Sequence, residues 1–320
     1  MATNKELYAE WCRTQQDIPV FLQAWWLTGV CAGKEWDVLF SKDEAGEIRA
    51  ALPYLIRKRL GMRYIIMPQE TQIGGMWVRK DLQDDTETIA AICRDFVEQL
   101  REMKLWYYYQ QYPIGSPCPA QMKQSGFAVK ERQTYRINEL TDLDSVINRF
   151  SKNKKRQLQK ALSLHADFEM SDEEFYHFHE ECLRAQGKEI SYTREFFLVI
   201  YRKAVREQAG QIIRIQNADG VTVAAVFVVW DEKTLYYLIP CYHPQYKDSG
   251  ASALLALEAI KFARGKAACF DFEGSMIPGV ANHYKQFGSV KTKYYSVRKY
   301  YHPIFAVALL VNWFRNRKFV

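Results

Sequence analysis

The residues best suited to chemistry lie between Thr234 and Phe287. Ala268 to Glu273 reads as a strand in which Phe270 and Phe272 alternate with Asp271 and Glu273. The two-residue period of a strand puts the rings on one face, as core, and the carboxylates on the other, where they could move protons. Tyr284 and Lys285 follow on a short basic-aromatic helix, and Tyr242 stands just past Leu235 to Pro240, an apolar strand stopped by proline. Between these, Gly250, Ala251 and Ser252 open a run with helical spacing through Leu254, Leu255, Leu257, Ala259, Ile260 and Phe262. The first amides of a helix lack internal partners, and three nearly side-chain-free residues let an anion come close, so this turn suits phosphate. Lys247 heads the loop that leads into it.

Strand, small-residue turn, helix, acidic strand and then Tyr284-Lys285-Gln286-Phe287-Gly288 together resemble the acyl-cofactor half of the GNAT acyltransferase superfamily, and within it the FemAB-like branch. The resemblance implies an α/β (α+β) chain of two tandem GNAT-like domains, each a mixed, mainly antiparallel sheet flanked by helices. It implies N-acyl transfer from a carrier to an amine, the amine belonging to a small molecule or to a cell-wall or lipid-linked precursor. Acyl-coenzyme A, such as acetyl-CoA, is the favoured donor, because no long heptad pattern marks the helical hairpin that FemAB-like relatives often carry. Aminoacyl-tRNA is the alternative donor, and a non-catalytic basic module for nucleic acid or anionic lipid is the alternative of another class.

Amide formation by acyl transfer needs a proton acceptor, a group that polarises the carbonyl and a donor to the leaving group. Glu273, which ends its strand beside Gly274, is the first candidate base and Asp271 the second. Lys285, the lysine of the family pattern, is implied at the carbonyl, and Tyr284 or Tyr242 at the leaving group. His243 and His283 are alternative bases, otherwise surface residues. Carrier contacts are expected from Ile239, Cys241, Lys247, Ser249, Gly250, Ala251 and Ser252.

The elements that must position these residues occur twice. Gly46 to Ala51 lines up with Gly220 to Ala225, Tyr64 to Pro68 with Tyr236 to Pro240, Leu105 to Gln110 with Ala268 to Glu273, and Met122-Lys123-Gln124 with Tyr284-Lys285-Gln286. A glycine loop and a helix separate the second and third matches in both copies, which reads as two copies of one α/β unit, 1–140 and 141–320. The polar loop Gln69 to Gly75 has the makeup of a binding loop, so Gln69, Glu70 and Gln72 are expected to touch the acceptor. Arg149 to Lys160 is the most basic stretch; it reads as a helix with a cationic exposed side, from which Lys154 and Arg156 would attract phosphate groups or tRNA. Ser171 and Glu174 form a capping-box signature for the first of two helices over 171–209, and the polar loop Gln186 to Tyr192 between them could line an acceptor pocket.

With 48% hydrophobic and 25% charged residues the chain falls among globular proteins, and a net charge of +7 favours an anionic partner. The 7 cysteines show no metal spacing, and His177 and His179, two apart, do not share a helix face, so no metal is expected. There is no Gly-x-Ser-x-Gly elbow for a hydrolase. Unpaired cysteine spacing and the absence of a signal-peptide pattern in the first thirty residues point to the cytoplasm, and a monomer or a homodimer is expected. Pro303 to Phe314 is nearly all apolar and is followed by Arg315, Arg317 and Lys318, so a terminal helix over 303–320 either packs on the domain or lies in the inner membrane surface.

Overall fold

A computed structural model describes residues 2–15, 17–274 and 276–305. They divide into two compact units, one comprising Met1–Arg132 with the chain from Tyr294 onward, the other Gln133–Lys293.

The first unit begins with α1 (Asn4–Thr14), closed by a Thr3/Glu6 capping box, and α2 (Ala24–Val30). The extended backbone at Pro19 separates them. β1 (Trp36–Lys42) and β2 (Ile48–Arg59) form a hairpin whose turn is tied by Asp43 Oδ1, which accepts from the amides of Ala45 (3.0 Å) and Glu47 (2.9 Å). β3 (Met62–Ile66) adds antiparallel to β2, and the short β4 (Trp77–Val78) also pairs with β2. α3 (Thr86–Glu102) carries the chain across to β5 (Tyr107–Tyr112), parallel to β3, and α4 (Cys118–Gln124) follows. The spacing of Ile89, Ile92, Cys93, Phe96, Val97 and Leu100 puts one face of α3 against the sheet, and all six are buried.

β6 (Ala128–Ile137) leads into the second unit. There α5 (Leu143–Asn148) and α6 (Lys152–Lys160) precede β7 (His165–Asp167), and α7 (Asp172–Arg184), with its Ser171/Glu174 capping box, packs on α8 (Arg194–Arg206). β8 (Gly210–Gln216), β9 (Thr222–Trp230) and β10 (Thr234–Tyr242) form an antiparallel meander. α9 (Ala251–Ala263) then crosses to β11 (Cys269–Asp271), parallel to β10, and α10 (Pro278–Lys285) ends the unit. Sheet order is β6-β11-β10-β9-β8-β7. β9 is almost wholly apolar because it is buried on both faces, and α9, apolar on most sides, lies in the same core through Leu255, Ala259 and Ile260.

The repeat is visible in the order of elements: a hairpin, a strand, a helix, a parallel strand and a short helix occur in both units. The closing strands do not stay with their own copy. β6 belongs to the second unit from Gln133 on, where it pairs with β11, and β12 (Val290–Tyr300) belongs to the first from Tyr294 on, where it pairs with β5. A boundary at 140/141 follows chain order, whereas the compact units follow the hydrogen-bonded partners of these two strands. Among the described residues no helix is long and apolar enough to cross a membrane. The terminal helix expected over 303–320 lies, beyond Phe305, outside the described residues.

Candidate active site

β10 and β11 pair only from Thr234 to Tyr236, after which β10 continues to Tyr242 without that neighbour. Its register with β9 shifts between Tyr236 and Ile239, a bulge that re-aims the strand end. At this opened end lies a cavity of about 510 Å³ within the second unit. Its wall comes from the β10 end and the turn after it (Tyr242, His243, Pro244, Tyr246, Lys247), from the start of α9 (Ala251, Ser252) and from α10 (Gly279, Val280, His283, Tyr284), with Val223 and Gln186 completing it. Lys247 is the lining ammonium, and no lining side chain is a carboxylate.

Local forces set each wall. Gly250 is the N-cap of α9 with φ +83°, a left-handed conformation that favours glycine. A Cβ there would overlap the Gln157 carbonyl oxygen on α6 and lie 3.2 Å from Ala161 Cβ, so close packing of α6 on α9 also requires glycine. The first turn of α9 is less bare than its sequence implies. The Ala251 amide donates to Ser249 Oγ (3.2 Å), and the amides of Ala253 and Leu254 donate to the Gly250 carbonyl (3.0 and 3.1 Å). What the helix start offers the cavity is therefore chiefly the positive end of its dipole, beside Lys247.

Of the expected carrier contacts, Lys247, Ala251 and Ser252 line the cavity. Gly250 is covered by α6, and Ser249 Oγ accepts from the Ala251 amide. Ile239 and Cys241 are buried in the core, because alternate residues of β10 face away from the site.

Among the expected catalytic groups, Tyr242 and Tyr284 line the cavity. The Tyr242 hydroxyl shares a hydrogen bond with Tyr237 (2.9 Å), and Tyr284 stacks on Phe272 with centroids 4.7 Å apart. Both hydroxyls are held well above their ordinary pKa, first by burial; for Tyr284 the charges of Glu273 and Asp271 add to it. Glu273 does not line the cavity, although its charge reaches Tyr284, and its backbone stands at φ +59°. Asp271 is fully buried and holds architecture. Its carboxylate accepts from Thr134 Oγ1 and from the Glu273 amide (2.7 Å), and Arg136 Nε lies 3.5 Å away. Burial pushes its pKa up to about 6. The hydrogen bond from the Glu273 amide to the Asp271 carboxylate holds the left-handed turn that ends the strand. Lys285 points away from the cavity: consecutive residues on α10 are about 100° apart, so with Tyr284 inward Lys285 lies exposed, its Nζ 5.8 Å from the Tyr135 ring centroid.

Lys154, expected on an exposed cationic face, is 1% exposed. Its Nζ donates to Gln157 Oε1 (2.9 Å), lies 3.1 Å from His283 Nδ1 and sits over the Phe287 ring. Burial lowers its pKa to about 8. Arg156 is exposed and donates to Asn153. Gln69, Glu70 and Gln72 belong to the first unit, and none lines the cavity. Trp26 Nε1 donates to Thr71 Oγ1 (3.1 Å), Thr71 Oγ1 donates to the Gln69 carbonyl (3.0 Å), and burial pushes Glu70 up to about 7.

The histidines read as surface residues are part of the wall. His283 is held down to about 4 by burial and by the Lys154 charge, and His243 Nε2 lies 3.7 Å from the Glu181 carboxylate. The signal for His283 is in the sequence, since Val280, His283 and Tyr284 at i, i+3 and i+4 share one face of α10. His179 is buried instead, its Nδ1 2.6 Å from the Tyr192 hydroxyl. Among the described residues no group of three or more His, Cys, Asp or Glu could hold a metal ion.

Residues 136–286 match the family model described as an acetyltransferase (GNAT) domain. Over the whole chain the fold is similar to the crystal structure of FemX, at 11% identity and TM-score 0.70, covering 92% of this chain and 96% of that one. It is also similar to the C-terminal domain of a putative lysylphosphatidylglycerol synthetase from Agrobacterium fabrum (12% identity, 96% of each chain, TM-score 0.59). A tandem GNAT protein from the clavulanic acid biosynthesis pathway shares it too (11% identity, 92% and 93% covered, TM-score 0.52). No curated protein matches the sequence.

Proposed function

Because residues 136–286 match the GNAT acetyltransferase family model and the fold is similar to that of FemX, we propose that the second unit binds a phosphorylated acyl carrier and transfers the acyl group to an amine. One observation carries this reading: the cavity at the start of α9 has a lysine and a helix N-terminus in its wall and no carboxylate. An anionic carrier gains from both, whereas a cationic ligand would meet the Lys247 charge and, among the described residues, no carboxylate. The residues fit coenzyme A in kind, with Lys247, Ala251 and Ser252 for its phosphates and the apolar and tyrosine surfaces of Val223, Val280, Tyr242 and Tyr284 for its thioester arm. When bound, the carrier supplies an activated acyl carbon; the chain supplies orientation and a site sheltered from water. The acceptor is an amine of a small molecule or of a cell-wall or lipid-linked precursor.

Thermal unfolding with and without coenzyme A and acetyl-CoA tests the reading. We expect stabilisation of the wild type that is lost in Ser252→Glu, which sets a carboxylate in the cavity wall. Gly250→Glu is unsuitable, since any side chain there meets α6. No stabilisation by either compound, with salt-sensitive binding of RNA or anionic vesicles instead, would replace the enzyme by a basic binding module. Stabilisation by aminoacyl-tRNA alone would change the donor.

A further inference from the structure

We propose that Lys154 holds His283 as a neutral imidazole protonated at Nε2, so that the ring serves the cavity as a hydrogen-bond donor to an acyl carbonyl oxygen and not as a base. This deepens the acyl-transfer reading and rests on it for the identity of the ligand. The starting point is a lysine that is 1% exposed, has no carboxylate partner, and meets a histidine of the cavity wall at 3.1 Å. An ammonium has three donors and no acceptor, so a contact with Nδ1 requires the lone pair of Nδ1. The proton of a neutral ring then sits on Nε2, on the edge away from Lys154.

The contact is fixed by the backbone. The start of α6 is tied to the end of α10, where the Ser151 amide donates to the Gln286 carbonyl (2.8 Å) and Asn153 Nδ2 donates to Gln286 Oε1 (2.9 Å). Gln157 Oε1 takes a second ammonium proton, and the Phe287 ring centroid lies 4.6 Å from Nζ, which holds the side chain in place. Among the described residues no carboxylate meets His283 to favour an imidazolium. The ring meets Lys154 on α6 and the rings of Tyr284 and Phe287, and Lys247 and His243 share the cavity wall with it. Burial and the Lys154 charge both hold the ring neutral through physiological pH.

In the transfer, the amine nitrogen attacks the thioester carbon, the C–N bond forms and the C–S bond breaks. The amine proton ends on the departing sulfur. The carbonyl oxygen carries negative charge in between, and a fixed neutral donor stabilises it without exchanging a proton. His283 is thus a catalytic residue by donation, and Lys154 a positioning residue acting through it.

Two-bond ¹⁵N–¹H correlation spectra of the full chain test the tautomer without reference to activity. At pH 7 we expect His283 Nδ1 unprotonated and Nε2 protonated, and the ring still neutral at pH 5.5. In Lys154→Met the titration should rise only part of the way from about 4, because burial, the larger cause, remains, and the two tautomers should mix. A wild-type ring with Nδ1 protonated, or one charged at pH 6, overturns the proposal. The second arm adds acetyl-CoA: the Nε2 proton should move downfield, and with an amine acceptor His283→Ala should lower kcat about a hundredfold to a thousandfold. His283→Asn, which keeps an N–H donor, should lose far less and keep the same pH profile. If acetyl-CoA binds but the Nε2 proton does not respond, or if His283→Asn removes a limb of the pH profile, donation is refuted. If acetyl-CoA does not bind at all, the carrier reading fails while the tautomer result stands by itself.

Discussion

Gly250 joins the fold to the site, and replacing it by alanine separates the two. At φ +83° an alanine costs about 1–2 kcal/mol in left-handed strain. Its Cβ would also overlap the Gln157 carbonyl oxygen and stand 3.0 Å from the carbonyl carbon and 3.2 Å from Ala161 Cβ, so α6 must shift, at roughly 1–3 kcal/mol for an overpacked contact. The lower entropy of the unfolded alanine chain returns about 0.4–1 kcal/mol. The net expectation is a loss of about 1–4 kcal/mol. Gly265 supplies the control: its φ of +82° is nearly the same, but a Cβ there meets nothing within 4 Å, so Gly265→Ala carries the strain without the collision. Urea unfolding of both variants at equal m-value measures the difference, which should be about 1–3 kcal/mol against Gly250→Ala. Equal losses would refute the packing argument. Full stability combined with loss of the coenzyme A effect would mean that the glycine serves the ligand and not α6.

Other expectations follow from the buried titratable groups and the cavity wall. His179, held at about 4 by burial, is neutral when folded, so its contribution is complete above pH 6.5 and lost as pH falls from 6.5 toward 4. That amounts to about 3 kcal/mol over the window, and His179→Gln should flatten the acid limb of the stability curve if urea midpoints are followed with pH. Asp271 acts with the opposite sign. Its pKa is raised from 3.8 to about 6, so the folded state prefers the protonated form and the group costs stability as pH rises between those values. Whatever its constant offset, Asp271→Asn should gain about 3 kcal/mol relative to wild type from pH 3 to pH 7, and a difference independent of pH would contradict it. Lys285→Ala should leave coenzyme A binding unchanged, whereas Lys247→Ala should weaken it about tenfold or more by calorimetry; the reverse order would place the carrier elsewhere.

Much of the architecture could be read from the chain. Continuous apolar runs at β9 and β10, the helical stripe of α3, the Ser171/Glu174 capping box and the repeated order of elements depend on neighbours in sequence, and local propensity and periodicity act at that range. The family pattern around Tyr284 and the small-residue start of α9 were legible for the same reason. Lys154 is the instructive failure. A basic run predicts a solvated face, yet three positions into α6 one lysine turns inward, because the ties to Gln286 aim it at His283 and Phe287.

The sequence by itself determined the class of fold, the twofold repeat and the segment that carries the cavity, since these follow from residue type and spacing. The tertiary structure alone decided which side chains meet. It buried Asp271, brought Lys154 against His283 and assigned β6 and β12 to opposite units. Those outcomes depend on strand pairing and helix contacts between residues more than a hundred positions apart, such as Thr134 with Asp271 and Lys154 with His283. No local pattern encodes such a distance, so only the folded chain could settle it.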